Sequence, residues 1–155
     1  MAAVALVIFA GAAITGSFLS WVSVAVHPSI VPGANFGGRV PSPTNDRGRR
    51  FSGVEAKDGW YVIGSAAVIA AAAIVFGISR RRGFAILAFA GSIVIAAIGV
   101  SDYRGVSDIS STIARRMDIV GVARPGVGLI LVTACGFGAI LASALALVSA
   151  PRAIP

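Results

Sequence analysis

EAKDGWYVIGSAAVIAAAAIVFGISRRRGF, residues 55–84, opens with an acid, a base and another acid within four positions, runs uncharged from Gly59 to Ser79, and ends in three consecutive arginines. A hydrocarbon core about 30 Å thick is crossed by about 20 apolar residues in helical form, and Trp60 to Ile78 meets that requirement. Trp60 and Tyr61 suit the headgroup layer, where an aromatic body is buried while its N–H or O–H stays wet. Glu55, Lys57 and Asp58 then lie just outside the apolar slab. Gly83 after Arg80, Arg81 and Arg82 predicts a tight turn into the next apolar run, so spans two and three form an antiparallel hairpin.

Working outward, three further stretches have the same character. The sequence predicts spans over about 2–24, 60–78, 84–100 and 126–149, with outer loops 27–59 and 101–125. No Asp, Glu, Lys, Arg or His falls inside the four spans. The 155 residues are 57% hydrophobic and 12% charged, against about 25% charged in a soluble domain. The expected fold is therefore an all-α membrane protein: one integral domain, a four-transmembrane-helix bundle. The first span lacks a basic lead-in and a cleavage pattern, and is read as a helix and not as a leader. Pro125 suits the first turn of the fourth helix.

The net charge of +7 does not point to nucleic acid, because the basic residues sit in loops between apolar runs and form no face of a soluble module. Arg80 to Arg82, in a very short loop flanked by two membrane ends, place that loop and both termini in the cytoplasm. A plain tally of Lys and Arg in the longer loops points the other way, but those residues are dispersed and interleaved with acids. The expected location is a bacterial inner membrane.

The loop 27–59 carries Pro28, Pro32, Pro41 and Pro43 with several glycines, which excludes helix over most of it. At its ends, WVSVAV (21–26) and RRFSGVE (49–55) read as strands that pair in a small antiparallel extracytoplasmic ribbon. In the third loop, Val106, Ile109, Ile113, Met117 and Val120 recur at offsets 0, 3, 7, 11 and 14, one face of an amphipathic helix lying across the mouth of the bundle.

Groups able to carry chemistry are few. Glu55 with Asp58, or Asp102 with Asp108, are candidate acid–base pairs, though each has Arg or Lys nearby in sequence to pair with. His27 stands alone, and Cys135, the one cysteine, is flanked by Ala134 and Gly136 and reads as packing. No metal site or cofactor is expected. Trp21, Trp60, Tyr61 and Tyr103 read as anchors at one outer interface. Gly16 and Gly138, with small neighbours at four-residue spacing, and Gly136 among the other small residues of its span, let helices approach closely. Ion and proton pathways require buried ionisable groups, and the spans offer only hydroxyls such as Thr15, Ser17, Ser65, Ser92 and Thr133.

The order FLSWVSV (18–24), SGVEAKDGW (52–60), SRRRG (79–83) and DY (102–103), ahead of a glycine-rich last span, resembles small four-span actinobacterial membrane proteins. That resemblance implies an accessory subunit of a cell-envelope machine, with the small coordinator subunit of an Mce-type lipid importer as the best match. The layout is also similar to the claudin-type arrangement in shape, without its cysteine pair. The expected function is a non-catalytic accessory subunit, partnered by other integral membrane subunits and by lipid. The alternatives are an accessory subunit of a respiratory complex, and a lipid- or quinone-binding protein with the 106–120 helix as its lid.

Overall fold

The computed structural model describes residues 1–27, 49–117 and 120–150, with backbone alone at 24–27, 49, 107–117 and 120–123. In chain order the elements are α1 (Ala2–Phe18), β1 (Ser20–His27), β2 (Arg49–Ser52), α2 (Asp58–Ser79), α3 (Arg82–Met117), β3 (Val120–Pro125) and α4 (Val127–Ser149). The proline-rich stretch 28–48 lies outside the described residues. The helices form a closed square in which α1 packs on α2 and α4, and α3 packs on α2 and α4. Leu6, Ala10, Val62, Ile69, Ile95, Leu129 and Val132 fill its centre.

Three helices are long and apolar enough to cross a membrane: Asp58–Ser79, Arg82–Val106 within α3, and Val127–Ser149. The first span is shorter than the 2–24 expected. Its helix stops at Phe18 after 17 residues, because the β-branched alternation that begins at Trp21 continues as strand. A helix end among apolar neighbours must place its last carbonyls, and here they are met. Gly16 O accepts the Leu19 N–H at 3.2 Å and the Trp21 Nε1–H at 3.0 Å, and Ser17 O accepts the Val54 N–H at 3.2 Å.

The expected ribbon is present. β1 and β2 pair antiparallel, with Ser23 opposite Arg50 and Val24 opposite Arg49. The third strand was not expected: β3 pairs antiparallel along the other edge of β1, giving the order β2-β1-β3 with Ser23 opposite Arg124 and His27 opposite Val120. Val120, assigned from its spacing to the amphipathic helix, is thus a strand residue. The helix over the third loop is also no separate element across the mouth. It is the continuation of α3, whose 36 residues extend about 54 Å, well beyond a hydrocarbon core. The side chains of Ile109, Ile113 and Met117 lie outside the described residues.

Two connections also differ from expectation. The α2–α3 turn is made by Arg80, in the left-handed region at φ 53°, with its N–H on Phe76 O at 2.9 Å. Gly83 already belongs to the first turn of α3. Pro125 ends β3, an edge strand on which its missing donor is tolerated, and Gly126 caps α4. That glycine is required: its N–H reaches Trp21 O at 2.6 Å, and a Cβ there would collide with Ser20 O.

Candidate functional site

Of the four expected interface aromatics, three present their rings outward: Trp60, Tyr61 and Tyr103 are 61%, 67% and 53% exposed. Trp60 and Tyr61 open α2, and Tyr103 sits where the antiparallel α3 passes the same level. Trp21 does not join them. The residue is 1% exposed, with its ring N–H bound to α1 and its indole packed against Gly53 and Gly128, where a Cβ on Gly128 would stand 2.9 Å from Cδ1. Tryptophan at the end of an apolar run serves either as anchor or as plug, and here the unfilled space between α1, the sheet and α4 takes it in.

The expected packing glycines lie in helix seams. A Cβ on Gly16 would meet Val132 Cγ2 at 2.9 Å and Gly128 O at 3.2 Å, one on Gly136 would meet the Ala96 backbone at 2.8 Å, and one on Gly138 would meet the Phe9 ring at 2.6 Å. Gly16 and Gly138 therefore serve the α1–α4 contact, and Gly136 the α3–α4 contact. Cys135 is buried beside Gly136, 6% exposed.

The carboxylates regroup. Glu55 is absorbed by a local turn: Ser52 donates its N–H to Glu55 Oε2 at 2.8 Å and its hydroxyl to the same oxygen at 3.2 Å, while Glu55 N–H reaches Ser52 Oγ at 3.3 Å. This reciprocal pattern is that of a capping box. Asp58 and Asp102 lie on α2 and α3 at the same end of the hairpin, where the charge of Asp58 acts on Asp102. Asp102 Oδ2 is buried without a hydrogen-bond partner. Sequence distance hid this coupling, since the two residues lie 44 positions apart and come to the same level only once the hairpin closes. Among the described residues no third metal-ligating side chain completes a group with them.

Hydroxyls inside the helices are engaged by their own backbones. Ser17, Ser92, Thr133 and Ser143 donate to the carbonyls of Ala13, Ala88, Leu129 and Ala139, four residues earlier, at 2.7–3.0 Å. Such back-bonding leaves little polarity to face a passing solute.

Among the described residues, two grooves on the outside of the bundle stand out. One, of about 420 Å³, follows the α2–α3 seam, with Gly64, Ser65, Ala90 and Gly91 as floor and Trp60, Tyr61, Val68, Leu87 and Val94 as walls. The other, of about 610 Å³, lies between α1, α2 and α4 at the arginine end, beside Arg80. Arg82 at that end donates to Leu147 O at 3.3 Å, capping the last turn of α4 with a cation, as the helix dipole favours. No family model matches the chain, and no curated protein is similar to it.

Proposed function

We propose that this protein is a non-catalytic accessory subunit that packs on the transmembrane helices of a larger complex in a bacterial inner membrane, best read as a cell-envelope lipid transporter. What carries the reading is a division among its small residues. Gly16, Gly91 and Gly136 are used up in the seams, whereas a Cβ on Gly11 or Gly64 would meet nothing within 4 Å. Gly64 lies in the floor of an open apolar groove walled by large side chains, a shape that suits a neighbouring helix, since close backbone approach is what drives helix association in lipid.

In this proposal α1 is the fourth crossing. Its ends support that: Gly16 meets Gly128 at the start of α4, and Ala3 shares a groove with Ser149 at its end. Both termini and the arginine turn face the cytoplasm, and the sheet faces outward.

Gentle detergent extraction followed by native mass measurement tests the proposal. The expected result is a complex containing at least one larger membrane subunit, lost when Gly64→Leu and Ala90→Leu fill the groove. A clean 15.6 kDa species from the unaltered chain, with nothing co-purifying, defeats it.

A further inference from the structure

We propose that the arginine end of the bundle binds one anionic phospholipid, with its acyl chain in the groove between α1, α2 and α4 and its phosphate at Arg80. The groove exists because small side chains meet there: Ala2 and Ala3 of α1, Gly77 of α2 and Ala142 of α4 leave about 610 Å³ beside Leu145. A Cβ added at Gly77 would touch only Ala3 Cβ, at 3.7 Å. Among the described residues, the one charged side chain on the rim is Arg80.

Charge is segregated along the molecule. All six acids of the chain fall within residues 46–58 or 102–118. Those that are described, Glu55, Asp58 and Asp102, stand at the far end of the hairpin, a full α2 length of 22 residues, or about 33 Å, from the arginine turn. Among the described residues no carboxylate is available to Arg80. Arg82 is tied to the end of α4, while Arg80 and Arg81 are exposed. Arg80 also occupies a left-handed backbone position, φ 53°, where Gly or Asn is the less costly residue.

A tail alone would leave the cation unmatched, and a free phosphate would leave the hollow unfilled. A phospholipid with net negative charge meets both, through apolar burial and a charge-assisted contact to guanidinium. The proposal requires no partner protein and is independent of the reading above.

The test is native mass spectrometry of the full chain, titrated with phosphatidylglycerol or phosphatidylcholine of identical acyl chains. The unaltered protein is expected to bind the first phosphatidylglycerol more tightly than phosphatidylcholine. Arg80→Asn, which keeps a residue tolerant of the left-handed turn, should lower phosphatidylglycerol affinity about fivefold and leave phosphatidylcholine unchanged. Gly77→Leu should weaken both lipids by filling the hollow. Thermal midpoints equal to that of the unaltered chain show that the variants are folded. Equal affinity for the two lipids, or a preference that survives Arg80→Asn, overturns the proposal.

Discussion

A methyl group added at Gly136 would stand 2.8 Å from the Ala96 amide nitrogen and 2.9 Å from its Cα, both backbone atoms that cannot swing aside, while one added at Gly64 would meet nothing. Gly136→Ala is therefore expected to destabilise the bundle by about 1–3 kcal/mol through overpacking. Gly64→Ala should be neutral or stabilising by up to about 1 kcal/mol, because it removes backbone freedom without a clash. Unfolding titrations of both variants in the same detergent check this, and equal losses would mean that the α3–α4 crossing is not where it is described. The seam role of Gly16 and Gly138 was legible in their spacing to other small residues, whereas Gly136 has Val132 and Ile140 four positions away and was legible only as a glycine inside an apolar span. Trp21 was not, because its position at the end of an apolar run is compatible with an outward or an inward ring, and the space awaiting it is built by Gly53, Gly126 and Gly128 from remote parts of the chain.

β3 is the element that periodicity concealed. Val120 continues the helical offsets of the residues before it, and only the tertiary neighbour, the unpaired edge of β1, tips VGVARP into strand. The β1–β2 ribbon was readable because Val22, Val24 and Val26 alternate against small residues and because a proline-rich loop separates the two strands. Opposed residues of an antiparallel pair have Cα atoms about 4.5–5.5 Å apart, within the range a disulfide spans. With Cys135→Ala as background, the double substitution Val24→Cys and Ala123→Cys, which are register partners, should cross-link on mild oxidation. Moving one cysteine to Tyr61, on α2, should abolish the cross-link. Absence of the bond in the first variant would remove β3 from the sheet.

Taken as a unit, the chain has a polar, sheet-bearing end that carries Asp58 and Asp102 and an arginine end without described acids. The membrane character and hairpin were plain in the composition, since uncharged runs of span length have few other uses. The joining of those two acids was not, because it depends on where α2 and α3 lie side by side. If the arginine end is cytoplasmic, a cysteine at Arg81 in the Cys135→Ala background should be shielded from a membrane-impermeant maleimide applied to spheroplasts, and one at Glu55 should be labelled. The reverse pattern would invert the orientation.

The sheet has a consequence for synthesis. The contact between Ser23 and Arg124 closes over 101 positions, so one flank of β1 stays bare until those positions have left the ribosome. At ordinary translation speeds that interval is roughly 5–20 s. Throughout it, that flank presents a row of unpaired amides, open to pairing with a second nascent copy. The strand that finally covers it is made just before α4, so the sheet and the last described helix are completed together.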